Sequence, residues 1–248
     1  MSLYLYAIFN AADLNSVKDL DLQGMNKQSV QFHALEPFAI AYSESQQDRY
    51  LASRANLLAH ETVQECLMKA LEVKQAVPLP LQFGLVIDDW TQVQTDLIEG
   101  HQEALMALLD DLKGKREVGI KLFWDQVLEL NLALTEDLDL AQKRESLMGK
   151  TLSMDEAIEI GQELEAALEK RQRSIIETFL DALQPLCHKY IEGDLLTENM
   201  LYNASFLIDD DKEPQFAQLV ESLDAQFENR LRIRYNNFTA PYNFVTLE

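Results

Sequence analysis

Residues 77–89 read VPLPLQFGLVIDD, an apolar segment with two prolines near its start and two aspartates at its end. The prolines prevent a helix from running through this point. The apolar part, Leu79–Ile87, has the length and composition of a short buried strand, and Asp88 or Asp89 is suited to cap a helix that follows. A strand here separates two long helical patterns, so this segment decides the order of elements in the first half of the chain.

Helical spacing lies on both sides of this segment. Between Asp48 and about Val73, apolar residues recur at every third or fourth position, which predicts one long helix with Asp48 as its cap. A second helix is expected from the paired aspartates to about Leu112, and Gly114 ends it. The sequence therefore predicts a helix, a strand and a helix in succession.

Four further strands are predicted around these helices. Three precede the first helix and one follows the second: Leu3–Phe9, Val30–Leu35, Phe38–Ser43 and Arg116–Trp124. Their aromatic and aliphatic content and short-period patterning favour strands. The order β-β-β-α-β-α-β predicts a sheet with packed helices, a variant of the ferredoxin-like pattern. We assign it to an N-terminal α+β domain, residues 1–125.

Residues 126–248 are predicted to form a second α+β domain with long helices and a small sheet. Helices over Gln126–Met148 and Asp155–Ile191 carry leucine stripes, and two such neighbours favour an antiparallel hairpin. Pro185 should kink or split the longer helix. The predicted elements that follow are a strand at Met200–Ile208, a helix at Pro214–Glu228, a strand at Arg230–Tyr235 and an irregular tail at Asn236–Glu248.

The charge balance argues against several classes of partner. Forty-two acidic residues against 21 basic ones give a net charge of −21, and both halves of the chain are acidic. Nucleic acid and anionic membranes require clustered Lys and Arg, so neither is expected as a partner. No apolar run approaches the roughly 18 residues of a membrane span, and the N-terminus lacks the basic region of a signal peptide. We therefore expect a cytoplasmic protein.

Two sequence patterns with acidic residues resemble metal-binding motifs, but neither has its ligands at the positions that the motif requires. His60-Glu61 begins like the zinc motif HExxH, but Gln64 stands where the second histidine is required. Asp209–Asp211 with Glu213 lacks the alternating ligands and the glycine of a calcium loop. The acidic start of a helix explains this run better. We predict no metal site.

Motifs of catalysis and of cofactor binding are missing from the sequence. It contains no GxGxxG, no P-loop and no GxSxG pattern. Cys66 and Cys187 form no CxxC and have no evident histidine partner, so both suit the role of a small buried or interface side chain. We predict a protein that is not an enzyme and has no catalytic residue and no cofactor.

An arginine row marks the last predicted strand. Arg230, Arg232 and Arg234 project from one face, because strand side chains alternate. In so acidic a chain we expect them to pair with the chain's own carboxylates. The alternative is an external acidic partner.

The C-terminal stretch is rich in aromatic residues and carries the candidate partner-binding set. Its members are Tyr235, Phe238, Pro241, Tyr242 and Phe244. Aromatic side chains are enriched at the anchoring centres of interfaces. The alternative is that the tail folds back and caps the chain's own core, and the two roles are compatible.

Several segments, in order along the chain, resemble the gas-vesicle proteins GvpF and GvpL. They are Leu5–Ile8, Leu58–Glu61 with Val63, Val77–Gly84, Gly114–Lys121 leading into Trp124-Asp125, and Ala240–Val245. Two positions depart from the family pattern. Gln82 stands where many members carry Arg, and Ala240 stands where a second Pro is common.

The resemblance implies a minor structural or assembly protein of the gas vesicle. It implies a part in assembling or lining a shell made mainly of the small hydrophobic protein GvpA, with other gas-vesicle proteins as further partners. It brings no catalytic residue. The alternative is a regulatory ligand-binding or enzymatic protein, because ferredoxin-like sheets carry many functions. His60, Glu61 and the neighbouring acids are the candidates for that alternative.

Overall fold

The computed structural model describes residues 2–149, 152–228 and 230–246. The chain divides into two compact units. Unit 1 comprises Met1–Val118, Leu207–Asp210 and Phe238–Glu248, and unit 2 comprises Gly119–Phe206 and Asp211–Asn237. This division departs from the predicted domains 1–125 and 126–248. The first boundary falls earlier, and the tail from Phe238 belongs to unit 1, because its apolar side chains pack on the core of that unit.

The sheet of unit 1 is built around the N-terminal strand β1 (Ser2–Asn10). On one side β1 pairs antiparallel with β3 (Phe38–Ser45), which in turn pairs with β2 (Gln31–Leu35). On the other side it pairs with two short strands, β4 (Leu79–Pro80) and β5 (Val86–Ile87). The strand order is β2-β3-β1-β4, with β5 also on β1. The three predicted N-terminal strands are thus confirmed.

Leu79–Ile87 is not one continuous strand, so that part of the prediction is wrong. Between β4 and β5 the chain turns through Gly84, which has a positive φ of 88°. The backbone N–H of Gly84 donates to the Tyr4 hydroxyl at 3.0 Å. A residue with a side chain is strained at such a φ, so glycine permits the turn here.

The helices of unit 1 also differ in their limits from the prediction. After the single turn α1 (Leu14–Val17), helix α2 spans Arg54–Glu72 and is capped by Ser53 rather than by Asp48. The predicted helix up to Leu112 is interrupted at Gly100, whose φ is 89°. It consists of α3 (Trp90–Gln92) with a π-helical continuation Val93–Ile98, followed by α4 (Gln102–Leu112).

In unit 2 the two predicted long helices are three helices and a strand. Asp137 has an extended backbone and its carboxylate caps a new helix, so Gln126–Met148 divides into α5 (Gln126–Glu136) and α6 (Leu138–Leu147). Helix α7 (Met154–Leu183) begins with a capping box. It ends before Pro185, and Cys187–Glu192 forms strand β7 instead of a continued helix.

A second sheet has the strand order β7-β8-β6-β9. Its other strands are β6 (Lys115–Trp124), β8 (Met200–Asp209) and β9 (Leu231–Thr239). Helix α8 (Glu213–Phe227) has Pro214 in its first turn, as predicted. With two antiparallel sheets and packed helices, the chain has the predicted α+β class.

Candidate partner-binding surfaces

The five aromatic-tail residues are divided between the two units. Tyr235 belongs to unit 2, where its ring stacks on Phe216 with centroids 5.9 Å apart. Its hydroxyl donates to a carboxylate oxygen of Glu213 at 3.1 Å. The other four residues of the set belong to unit 1. Tyr235 is therefore held in position by contacts within its own unit.

Within unit 1, Tyr242 is anchored by its hydroxyl. The hydroxyl donates to the side-chain oxygen of Gln64, and the Gln64 amide donates to the carbonyl oxygens of Tyr6 at 2.9 Å and Leu81 at 3.2 Å. Burial of the hydroxyl raises the pKa of Tyr242 to about 12. The side chain as a whole remains 39% exposed, so it presents part of its ring to solvent from a fixed position.

The remaining tail residues cap the core of unit 1. Phe244 packs against the buried apolar cluster around β1 and α4, and Pro241 is buried. Asn243 donates to the buried carboxylate of Glu117 through its backbone N–H at 3.1 Å and through its side chain at 2.6 Å. The ammonium of Lys69 lies 5.3 Å from the centroid of the Phe238 ring. The tail thus folds back on its own unit, which is one of the two roles that the sequence leaves open.

His60, the first residue of the incomplete zinc motif, belongs to the same buried network. Its Nε2 lies 3.1 Å from the carbonyl oxygen of Leu81 and its Nδ1 lies 2.9 Å from the Tyr4 hydroxyl. A carbonyl only accepts, so Nε2–H donates to it and the Tyr4 O–H donates to Nδ1. Burial lowers the pKa of His60 to about 4. The residue is therefore a neutral part of the packing at pH 7.

The part of the chain that the structure describes contains no group of three or more His, Cys, Asp or Glu side chains able to hold a metal ion. Within the same residues, no helix combines the length and the apolar character needed to cross a bilayer. Both cysteines are free thiols of intermediate exposure. Burial raises the pKa of the Cys187 thiol, which makes it a poorer nucleophile at neutral pH.

An apolar groove lies between helices α5, α6 and α7 of unit 2. Its volume is about 310 Å³. Most of its lining is aliphatic, and the lining residues are Leu134, Leu140, Lys143, Arg144, Leu147, Met148, Leu152, Ile160, Glu163 and Leu164. Lys143 pairs with Glu163 at 2.5 Å at the side of the groove. Helix α6 has no buried residue among those described.

Large apolar side chains of the same three helices, and Met148 at the end of α6, are exposed to solvent. Those at least half exposed are Val127, Leu138, Met148, Met154 and Ile158. Soluble monomers rarely leave large contiguous apolar patches in water, and such patches mark sites of interaction. The sequence carries a signal for this surface, since α5 has more leucines than one helical stripe needs. Val127 and Leu138 recur at helical spacing with Leu130 and Leu134 and do lie in helices, but they are 70% and 74% exposed.

Glu129, which no sequence pattern indicates, is fully buried between two arginines of unit 2. Its carboxylate accepts from Nε of Arg171 at 2.9 Å and from Nε and Nη2 of Arg230 at 2.8 and 2.7 Å. Burial alone would raise the pKa of Glu129, but the hydrogen bonds from Arg230 and Arg171 outweigh it and hold the pKa below its ordinary value. The predicted internal pairing of the arginine row is confirmed for Arg230. Arg232 and Arg234 make no ion pair with any residue that the structure describes and lie instead against an aromatic ring, so the prediction is wrong for them.

The sequence matches known gas-vesicle proteins over nearly its whole length. The model of the family described as gas vesicle synthesis protein GvpL/GvpF matches residues 2–246. Gas vesicle protein F of Dolichospermum flosaquae is 46% identical over 247 residues, which is 99% of this chain and 98% of that protein. Gas vesicle protein F of a Nostoc species is also 46% identical, over 99% of this chain and 98% of that protein.

Solved structures give the same result. The crystal structure of the gas vesicle protein GvpF from an Anabaena species matches with a TM-score of 0.88 and 45% identity. That match covers 100% of this chain and 99% of the other. GvpF from Microcystis aeruginosa matches with a TM-score of 0.83 and 44% identity, over 99% of both chains.

Proposed function

This chain belongs to the GvpL/GvpF family of gas vesicle synthesis proteins, and we propose that it helps to assemble the gas vesicle by binding the hydrophobic shell protein GvpA. It acts there as a non-enzymatic structural or assembly protein, located at the gas vesicle. The observation that carries this proposal is the open apolar groove of helices α5, α6 and α7.

A shell subunit that is mainly apolar needs its surface covered before it joins the shell. A groove between helices can receive an apolar helix or segment, because it removes apolar area from water on both partners. Each large apolar side chain that becomes fully buried in this way contributes roughly 1.5–3 kcal/mol. The net charge of −21 on the chain opposes further association of the complex. The groove and the charge are therefore both suited to holding an apolar subunit in solution.

The aromatic tail supplies a second proposed contact with the same partner. Phe238 and Tyr242 of unit 1 keep part of their surface accessible, whereas Pro241 is buried and Phe244 packs on the core and supports the tail. Tyr235 is also partly accessible but belongs to unit 2. The hydroxyl of Tyr242 holds its ring in place, so little side-chain entropy is lost when a partner packs on it. We propose Tyr242 as the main contact of the tail.

The affinity of the purified chain for purified GvpA, compared between two matched double variants, tests the groove. Met148→Ser with Leu152→Ser removes two apolar side chains from the groove, at positions outside the helices. Leu51→Ser with Val73→Ser is the control, because these residues of unit 1 are 83% and 93% exposed and also lie outside the body of a helix. We expect the groove variant to bind roughly tenfold or more weakly and the control to bind as the native chain does.

Equal affinities of the two double variants would contradict a groove contact. Tyr242→Ala, measured in the same series, tests the tail separately. A loss of affinity with Tyr242→Ala alone would move the contact to the tail, and loss with neither variant would contradict both proposed sites.

A further inference from the structure

Four side chains on the second sheet form a cationic patch in unit 2. Lys121 and Phe123 lie on β6, and Arg232 and Arg234 lie on the neighbouring β9. The guanidinium carbons of Arg232 and Arg234 are 4.4 and 5.2 Å from the centroid of the Phe123 ring. Lys121 is on the same face as Phe123, because side chains two apart in a strand point to the same side. We call these four residues the arginine patch.

The patch is exposed to solvent above a buried ring. Arg232 and Arg234 are exposed, while Phe123 is only 7% exposed. The residues that alternate with Phe123, Leu122 and Trp124, are buried. Cation–π attraction to one ring holds both guanidinium groups in place, so the patch is ordered before any partner arrives.

These cations have no acidic partner within the described residues. Lys121, Arg232 and Arg234 make no ion pair there, whereas Arg116 contacts two carboxylates and Arg171 contacts two. The chain has twice as many acids as bases, so unpaired cations side by side are contrary to its overall composition. Two like charges on one ring also repel each other. An anionic group placed between them would remove that repulsion.

We propose that the arginine patch binds an acidic segment of a partner protein. The Cα atoms of Arg232 and Arg234 are about 7 Å apart, because the two residues are two positions apart in a strand. A segment with acidic residues at alternate positions of an extended chain presents carboxylates at the same spacing. Arginine suits this contact, because its planar guanidinium forms paired hydrogen bonds with a carboxylate.

The net charge of the whole chain favours a short protein segment over a polyanion as the ligand of the arginine patch. Nucleic acids and anionic membranes carry extended negative charge, which a net charge of −21 repels. A short acidic segment meets only the local cations. The proposal does not depend on the groove, since the patch is polar and lies on strands of unit 2 rather than on helices α5–α7.

Binding of a fluorescein-labelled peptide, Glu-Val-Glu-Val-Glu-Val-Glu, to the full chain is measured by fluorescence anisotropy at low salt. The variant Arg232→Gln with Arg234→Gln removes two positive charges from the patch. The control, Arg49→Gln with Arg54→Gln, removes the same charge at two exposed arginines of unit 1 that make no ion pair with a described residue. Thermal melts of both variants check that the fold is kept.

We expect the patch variant to bind at least tenfold more weakly than the native chain and the control to bind within twofold of it. Salt should weaken native binding, and the same peptide with Gln in place of Glu should not bind. No binding of the Glu peptide, or an equal loss in both double variants, would overturn the proposal. So would binding of a DNA oligonucleotide or anionic vesicles through Arg232 and Arg234, or self-association of the native chain that the patch variant abolishes in sedimentation velocity.

Discussion

Single residues explain why the apparent zinc motif is not a metal site. Gln64 takes the position of the missing histidine, and its amide satisfies the carbonyls of Tyr6 and Leu81. Gln64 is itself buried, and a buried amide without hydrogen-bond partners would cost free energy. These two carbonyls and the Tyr242 hydroxyl supply the partners of its side chain. The sequence indicates that the motif is incomplete. It does not indicate the purpose of Gln64, because that depends on strands far away in the chain.

The buried His60 should make the stability of the protein depend on pH. Its pKa is about 4 in the folded chain and about 6.5 in an unfolded one, so the unfolded chain binds the proton first. The stabilisation is fully present above pH 6.5, falls as pH drops from about 6.5 to about 4, and does not change further below that. The loss is at most about 3 kcal/mol.

Urea unfolding at several pH values between 7.5 and 4 measures this effect. We expect His60→Gln to lower the free energy of unfolding at pH 7.5 but to remove part of its pH dependence. His188→Gln, at an exposed position, is the control and should keep the native slope. If the free energy of unfolding of His60→Gln depended on pH as steeply as that of the native chain, His60 would not titrate as described.

At the scale of elements, the sequence predicts which helices and strands form better than it predicts where they begin and end. Strands β1 and β3 are predictable because most of their apolar residues are buried, and β2, which has no buried residue, pairs with β3. The break at Asp137 is not, since a helix pattern alone does not reveal a capping carboxylate in mid-run. Helix α7 ends before Pro185, where the sequence also allows a kink within a longer helix. Strand β7, which follows, is mostly exposed and has no apolar alternation from which it could be predicted. The groove could not be predicted for the same reason, because it depends on α5 and α6 being separate helices.

The buried triad of Glu129, Arg171 and Arg230 joins elements distant in sequence, and it predicts an asymmetric mutational result. Glu129→Gln leaves two guanidinium groups facing each other without the buried charge that pairs them, and we expect it to cost about 3 kcal/mol or more. Glu136→Gln also removes a partner of Arg171, but that carboxylate is 59% exposed, so the expected cost is under about 1 kcal/mol.

Chemical denaturation at pH 7 separates the two variants. The pKa of Glu129 is lowered by its arginines, so its contribution is present above its unfolded pKa and is lost as pH falls through the folded value. Similar costs for Glu129→Gln and Glu136→Gln would contradict the view that burial gives the triad its strength.

At the scale of the whole molecule, the chain is acidic, and two surfaces of the described residues differ from this overall character. One is the apolar groove of α5–α7 and the other is the arginine patch, and both belong to unit 2. Composition predicts the acidic character and argues against polyanionic partners. Composition cannot locate either surface. The alternation of Arg232 and Arg234 in the sequence indicates part of the patch, but Phe123 joins them only through the fold. The groove likewise depends on the packing of three helices.

Hydrogen exchange of the full chain, with and without purified GvpA, tests the central claim most directly. Amides that a partner covers or orders exchange more slowly. We predict that slowing concentrates in residues 126–164, which include α5, α6 and the start of α7, with a smaller effect around Tyr242. Unchanged exchange in residues 126–164 when GvpA is bound would contradict the groove as the shell-binding site.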